Sequence, residues 1–360
     1  MPKKIGVVTG GGDCPGLNTV IRAVSKAAAM RGWETLGILG GYAALLEPRQ
    51  FRLLDYKALD GLLTRGGTIL GTANRGVFSA KVGHGEGRKL PQELLDQTQA
   101  GMDALGISAL ISIGGDGSLS IAQQMHEHGI PIVGVPKTID NDLEGTLLTF
   151  GFDSAVNCAT DALDRLHTTA ESHNRVMVLE VMGRYAGWIA LYAGIAGGAD
   201  VILIPENPFT YDSILAKIRE REARGRNFTL IVVAEGAHEK DGAFVTTASP
   251  EANREARLGG IGARVAEEVG RRSGKETRCC VLGHLQRGGT PTTFDRALCS
   301  MFGAMAVELV DRGDFGKMVA FTNQKIGTVN IADAVGRLKT VPLDGTMART
   351  ARALGVSLGD

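Results

Sequence analysis

Between Ala109 and Asp142 the chain holds two runs of branched apolar residues, Ala109-Leu-Ile-Ser-Ile113 and Ile130-Pro-Ile-Val-Gly-Val135, and each breaks abruptly into a polar turn. The first continues as Gly114-Gly-Asp-Gly-Ser118 and a helical pattern from Leu119 to His128, which reads as strand, tight turn and helix N-terminus. Such a turn exposes backbone N–H groups at the positive end of a helix dipole, and glycines let a phosphate come close to them. Asp116 would repel that phosphate, so a bridging Mg²⁺ is the simplest physical reason for a carboxylate here. The second run ends in Pro136-Lys-Thr-Ile-Asp-Asn-Asp142, which sets a lysine, a hydroxyl and two carboxylates after a strand end. That set suits proton abstraction beside a phosphate. Both turns fall at the carboxyl edge of a parallel sheet, where open α/β folds bind ligands. A single Gly-Gly-Asp-Gly also describes an ordinary sheet-edge turn with an Asx hydrogen bond. Two such turns on successive strands favour a site.

Near the N-terminus, Ile5-Gly-Val-Val-Thr9 is a buried-strand run, Gly10-Gly-Gly-Asp-Cys-Pro-Gly16 a turn, and Leu17 to Met30 an alanine-rich helix. The stretch lacks the Lys-Ser/Thr ending of a P-loop and the spacing of the dinucleotide fingerprint, so it is a phosphate cradle of neither kind. Arg22 and Lys26 share a face of the helix by their i, i+4 spacing, as many solvated pairs do. After a strand at Thr35 to Leu39, Arg65-Gly-Gly-Thr-Ile-Leu-Gly-Thr-Ala-Asn-Arg-Gly76 combines glycines with two guanidinium groups. It reads as a loop folding over an anionic ligand or, equally, as a surface loop. Residues 80–91 alternate glycine with charge and form an excursion, and Gln92 to Leu105 is a helix.

Lys+Arg and Asp+Glu balance at 39 each, so no global field draws the chain to nucleic acid or to an anionic membrane, and neither partner is expected. Any anion site must be local. The 50 glycines are about twice the usual share of roughly 7% and cluster at strand ends. No apolar run approaches the ~18 residues needed to span a bilayer, and Met-Pro-Lys-Lys leads straight into a strand, so a cytoplasmic location is expected. Cys14, Cys158, Cys279, Cys280 and Cys299 are odd in number and lack metal-ligand spacing, which predicts reduced thiols. Cys14, in a glycine turn before a helix, is the one whose environment could make it reactive, although a spectator thiol is the favoured reading.

The pattern restarts near Gly151. Phe150-Gly-Phe-Asp-Ser154 opens a long helix to Ser172 with Ser154 as its N-cap, and strands follow at 174–182, 200–205, 228–234 and 278–284. Helices are predicted at 211–224, 251–270 and 293–312, then a strand near Met318 and a terminal helical region. Arg175, Arg184, Arg278, His284 and Arg287 all fall at strand starts or ends, and Glu235 closes the strand at 228–234. Four guanidinium groups with a histidine and a carboxylate describe a site for a phosphorylated, hydroxyl-bearing ligand. His284 by itself reads as a satisfied structural histidine.

Gly11-Gly-Asp13 with Pro15-Gly-Leu-Asn18, Gly114-Gly-Asp-Gly-Ser118, Pro136-Lys-Thr-Ile-Asp-Asn-Asp142, Met182-Gly-Arg184 and Gly283-His-Leu-Gln-Arg-Gly-Gly289 occur in the order found in 6-phosphofructokinases, which this chain resembles. The resemblance implies two Rossmann-like αβα domains with largely parallel sheets. The donor domain would take 1–150 plus about 286–340, and the fructose 6-phosphate domain 151–285 plus about 341–360. It implies phosphoryl transfer from ATP to the 1-hydroxyl of fructose 6-phosphate. Asp140 would be the general base, ionised at neutral pH like any unperturbed aspartate, with Thr138 and Asp142 beside it. Asp116 would organise Mg²⁺, and Gly11 with Gly115, Gly117, Ser118 and Lys137 would hold the donor's phosphates. Arg184 would stabilise charge on the transferring group, and Met182, Gly183, Glu235, His284 and Arg287 match the sugar-phosphate site. Arg175 and Arg278 match arginines that reach the 6-phosphate from a neighbouring subunit, which implies a homo-oligomer, most often a tetramer, with shared active sites. Arg22 and Lys26 match part of the family's effector site.

Two features depart from the common bacterial ATP enzymes. Where those have one arginine, this chain reads Asn74-Arg75, and Arg75 is the expected donor-phosphate arginine. The second departure is the pair Gly117 and Lys137. Glycine at both positions resembles ATP enzymes, and aspartate with lysine resembles pyrophosphate enzymes. Gly117 leaves room for an α-phosphate and nucleoside, and family members with this mixed pair resemble ATP users, so ATP is favoured and pyrophosphate is the alternative. A lipid or nicotinamide-nucleotide kinase shares Gly-Gly-Asp-Gly but not the later motifs. A non-catalytic sensor would not require Asp140.

Overall fold

The uninterrupted apolar runs become strands hidden on both faces, as parallel sheets covered by helices require. The computed structural model describes residues 2–73, 76–78, 88–248 and 257–360. In chain order the first elements are β1 (Lys4–Thr9), α1 (Leu17–Ala29), β2 (Glu34–Ile38), β3 (Phe51–Leu53), α2 (Gln92–Leu105), β4 (Ile107–Gly114), α3 (Asp116–Glu127), β5 (Ile132–Pro136) and α4 (Phe152–His173). Then come β6 (Val176–Val181), α5 (Trp188–Ala196), β7 (Val201–Leu203), α6 (Tyr211–Ala223), β8 (Thr229–Ala234), β9 (Thr246–Ala248), β10 (Arg257–Leu258), α7 (Ile261–Ser273) and β11 (Thr277–Val281). The last are α8 (Thr293–Arg312), β12 (Lys317–Thr322), β13 (Lys325–Asn330), α9 (Ile331–Ala334) and α10 (Thr346–Ala353).

The chain divides into two compact units. The first comprises Met1–Ile139, Leu143–Ser154 and Arg287–Leu338, and the second Asp140–Asp142, Ala155–Gln286 and Lys339–Asp360. Asp140 to Asp142 thus group with the second unit, apart from the strand that leads into them.

In the first unit, among the described residues, the sheet order is β13-β12-β5-β4-β1-β2-β3. Its inner strands are parallel, and β3 and β13 are antiparallel edges. The chain runs outward from β1 to β2 and β3, then returns to the other side of β1 with β4 and β5, so the order reverses between β1 and β4. The carboxyl ends of those two strands are where such a sheet binds ligands. The second unit has the order β11-β6-β8-β7, all parallel, and its order reverses between β6 and β11. Val8, Leu110, Leu119 and Met318 anchor the core of the first unit, and Val178, Ile214, Ile231 and Val265 that of the second. Among the described residues no helix is long and apolar enough to cross a membrane.

Two local expectations are corrected, and two edge strands were not foreseen. Ser154 lies inside α4 and does not cap it; the buried Asp295 carboxylate accepts the Gly151 and Ser154 N–H groups at 3.0 and 2.9 Å and the Ser154 hydroxyl at 2.6 Å. Of the helix expected at 251–270, residues 251–256 lie outside the described residues, and the described part is α7, which begins at Ile261 after an N-cap at Gly260 with φ 90°. β3 and β13 carry little apolar pattern, and the β12–β13 hairpin turns on Asn323 and Gln324 at φ 49° and 61°, without the glycine that would announce it.

Candidate active site

In the first unit, the turns after β1 and β4 lie side by side, and Gly10 N–H donates to Ile113 C=O at 3.0 Å. A Cβ on Gly10 would stand 2.4 Å from Ser118 Oγ, and one on Gly114 2.3 Å from Ser118 Cβ. Glycine at both positions lets α3 begin hard against the two turns, so its N-terminus, where backbone N–H groups have no partner within the helix, comes beside Gly11. Gly117 is different in kind: beyond its own helical turn no heavy atom of the described residues lies within 4 Å of where its Cβ would be, and its φ needs no glycine. The gap there is not demanded by the fold.

Lys137 is 4% exposed and donates its ammonium to Gly12 C=O at 2.5 Å, so it braces the first turn from the end of β5. Its own N–H donates to Gly114 C=O at 2.9 Å, which ties it to the second turn as well. The structure places Arg287 in this same unit, where Nη1 donates to Asp13 C=O at 3.3 Å. Asp116 is the first residue of α3, and its Oδ1 accepts Gly336 N–H at 3.0 Å. Thr138 C=O accepts the Thr149 hydroxyl at 2.7 Å.

The loop after Arg65 is fastened to the first turn. Asn18, buried in α1, donates to Arg65 and Gly66 C=O at 3.0 and 3.1 Å and accepts Ile69 N–H at 2.8 Å. The Thr72 hydroxyl donates to Gly11 C=O at 2.6 Å, and Gly11 N–H donates to Ala73 C=O at 3.1 Å. Asn74 and Arg75 lie outside the described residues. Tyr42, which sequence reasoning did not single out, donates its hydroxyl to Ser118 C=O at 2.9 Å and is 2.5 Å from Ser112 Oγ. Burial raises its pKa, so the phenol stays protonated. Its partners lie 70 and 76 residues away along the chain, beyond the reach of any local pattern.

Cys14 is fully buried, and burial pushes its thiol up to about 12, so the turn does not activate it. Cys299 is buried too, and all five cysteines are free thiols. Arg22 pairs with the exposed Asp60 at 3.7 Å.

In the second unit the carboxyl ends of β11, β6 and β8 carry Gly283 and His284, Met182 to Arg184, and Glu235 respectively. Glu235 N–H donates to Val181 C=O at 2.9 Å and Gly236 N–H to Gly183 C=O at 3.1 Å, locking the exits of β8 and β6 together. A Cβ on Gly236 would stand 1.9 Å from Arg184 C=O, so only glycine permits this approach. Gln286 Oε1 accepts Met182 N–H at 2.7 Å and joins the exit of β11 to the same set. The structure therefore brings Met182, Gly183, Arg184, Glu235 and His284 to one edge.

It does not bring Arg175 and Arg278 there. These two sit at the amino ends of β6 and β11, where both pair with Glu276, at 2.9 and 2.5 Å. The six residues of β6 at ~3.3 Å each separate the two edges by about 20 Å, further than an arginine side chain extends.

Among the described residues no group of three or more metal-ligating side chains converges. A magnesium ion carried with a nucleotide needs only one or two protein carboxylates, the other ligands being phosphate oxygens and water. Asp116, a hard oxygen donor in the first turn of α3, fits that requirement.

An open parallel sheet with paired glycine turns at a helix N-terminus, and a second with arginine, glutamate and histidine at its carboxyl edge, define a phosphoryl-transfer α/β protein. The phosphofructokinase family model matches residues 4–310, and the chain belongs to that family. It is 51% identical to an ATP-dependent 6-phosphofructokinase of Chloroflexus aggregans, over 99% of this chain and 98% of that one. It is 50% identical to ATP-dependent 6-phosphofructokinase 1 of Synechocystis, over 99% of each. Phosphofructokinase from Pichia pastoris superposes with a TM-score of 0.78 at 32% identity over 93% of this chain, which spans 35% of that longer one. The pyrophosphate-dependent phosphofructokinase of Nitrosospira multiformis, 22% identical with a TM-score of 0.80 over 99% of this chain and 93% of that one, shares the fold.

Proposed function

We propose that this chain is a kinase of glycolysis that transfers the γ-phosphoryl group of ATP to the 1-hydroxyl of fructose 6-phosphate, giving fructose 1,6-bisphosphate and ADP. The observation that carries the choice of donor is Gly117, where the space beside the phosphate turn is kept open although neither backbone nor packing requires it. A longer donor uses that space; a carboxylate would close it. Lys137, already engaged with Gly12 C=O, serves as a brace between the turns and adds positive charge beneath the phosphates.

The roles follow the family resemblance residue by residue. Gly11, Gly115, Gly117, Ser118, Lys137 and Arg75 hold the donor. Asp116 would hold Mg²⁺, which when bound neutralises charge on the donor's phosphates. Asp140 takes the proton of the 1-hydroxyl, with Thr138 and Asp142 beside it. Arg184 stabilises negative charge on the transferring group. Met182, Gly183, Glu235, His284 and Arg287 bind the sugar phosphate. Arg175 and Arg278 belong to the site of a neighbouring subunit, a reading supported by the ~20 Å between the two edges of their sheet. A homotetramer in the cytoplasm, acting without nucleic acid or membrane, completes the reading.

The test is formation of fructose 1,6-bisphosphate with Mg²⁺ and either ATP or pyrophosphate as sole donor. Turnover with ATP and little with pyrophosphate is expected. A preference for pyrophosphate would mean that Lys137 outweighs Gly117, and activity with neither would leave a sensor as the reading.

A further inference from the structure

We infer that Lys339 is a positioning residue that fastens the Asp140–Asp142 segment to the Met182–Gly187 turn carrying Arg184. The inference rests on the functional reading above for the roles of Asp140 and Arg184, whereas the contacts do not depend on it. All of them lie within the second unit. Lys339 N–H donates to Asp142 C=O at 2.9 Å, and its ammonium donates to Asn141 Oδ1 at 2.9 Å. Trp188, the residue immediately after the turn, donates Nε1–H to Lys339 C=O at 2.8 Å, and the lysine ammonium lies 5.9 Å from the centre of that indole. One residue thus grips one segment by backbone and side chain and is gripped in turn by the other.

Asn141 is what needs holding. It has φ 51°, a left-handed conformation that costs energy for a residue other than glycine, and it is 2% exposed, so its amide must find partners inside the protein. Lys339 supplies one, and its backbone fixes the next residue. A second tie runs in parallel: the Glu206 carboxylate accepts Gly187 N–H at 3.0 Å and Val341 N–H at 2.7 Å. Catalytic groups must be kept within about 0.5 Å of productive geometry. Loosening this tie should therefore reduce the rate of the chemical step and leave substrate binding in place.

Lys339→Met keeps the aliphatic stem and removes the ammonium. We expect kcat to fall at least about tenfold, KM for ATP and for fructose 6-phosphate to stay within about twofold, and Lys339→Arg to recover part of the loss. Trp188→Phe keeps a ring but removes the N–H, and should show the same split at smaller amplitude; it carries the test if Lys339→Met does not fold. A kcat within about twofold of wild type in soluble Lys339→Met overturns the inference, and so does a kcat loss that merely follows a fall in folded fraction by circular dichroism. Asp140→Ala is assayed alongside. Wild-type turnover in that variant would remove the assigned base, a failure of the functional reading that is distinguishable from failure of the brace.

Discussion

Gly117 and Gly236 show how differently two glycines can be required. At Gly236 a Cβ would collide with Arg184 C=O at 1.9 Å, so the fold forbids any other residue. At Gly117 nothing among the described residues beyond its own helical turn lies within 4 Å, so the fold permits one. We therefore expect Gly117→Asp to fold normally, with an unfolding midpoint within about 2 °C of wild type or slightly above it. A carboxylate in the first turn of a helix is favourable, and loss of a glycine stiffens the unfolded chain. KM for ATP should rise at least about tenfold, equivalent to about 1.4 kcal/mol, because the new charge faces the donor's phosphates, while KM for fructose 6-phosphate is unchanged. Steady-state kinetics with each substrate varied separately decides this. The sequence marked Gly117 as a donor determinant, but a bare glycine in a motif does not say whether backbone, packing or ligand requires it. Lys137 posed the opposite problem: its identity suggested a ligand contact, and its bond to Gly12 C=O gives it structural work as well.

The start of α4 illustrates what helix signals hide. Ser154 looks like a local cap, but the acceptor is Asp295, 141 residues from Ser154, itself at the start of α8 with Thr292 as that helix's N-cap. One carboxylate thereby joins two helix N-termini. Burial, partly offset by its hydrogen bonds with Ser154 and Gly151 and reinforced by nearby Asp153, raises the pKa of Asp295 from the ordinary 3.8 to about 6. Between about pH 4 and 6 the native protein then holds a proton that the unfolded chain has released. Stability from this group is full below that window, falls as pH rises through it, and is flat above. A rise from 3.8 to about 6 corresponds to about 3 kcal/mol. Asp295→Asn should be less stable than wild type at every pH, since an amide cannot accept all three bonds. Its disadvantage should shrink as pH rises from 4 to 6.5, read as the difference in urea midpoints. An unchanged difference across that range would mean that Asp295 does not titrate there.

At the scale of the whole molecule, the position of Arg175 and Arg278 at the amino edge of their sheet bears on assembly. If they complete a neighbour's site, Arg278→Ala should raise KM for fructose 6-phosphate at least about tenfold with a smaller effect on KM for ATP, since a charged hydrogen bond to phosphate is lost. Mixing that variant with Asp140→Ala, after dissociation and reassembly, should restore low-KM activity that neither has alone, because some sites would then draw an intact Asp140 from one chain and an intact Arg278 from another. No recovery would place the whole site within a single chain. The sequence by itself determined the α/β class and the strand-and-turn cradles, and it marked a restart of the pattern near Gly151 and the residues proposed for the site. All of these are local: a buried apolar run, a glycine turn and a helix signal lie within about a dozen residues of one another, and their periodicity survives in one dimension. Only the tertiary structure decided that Asp295 caps α4, that Tyr42 and Asn18 secure the phosphate turns, that Arg287 lies by Asp13, and that Lys339 holds Asn141 from 198 positions away. These are single polar contacts between distant segments. Each depends on where two strand ends or helix starts come to rest, which hydrophobic patterning sets only when the whole core closes.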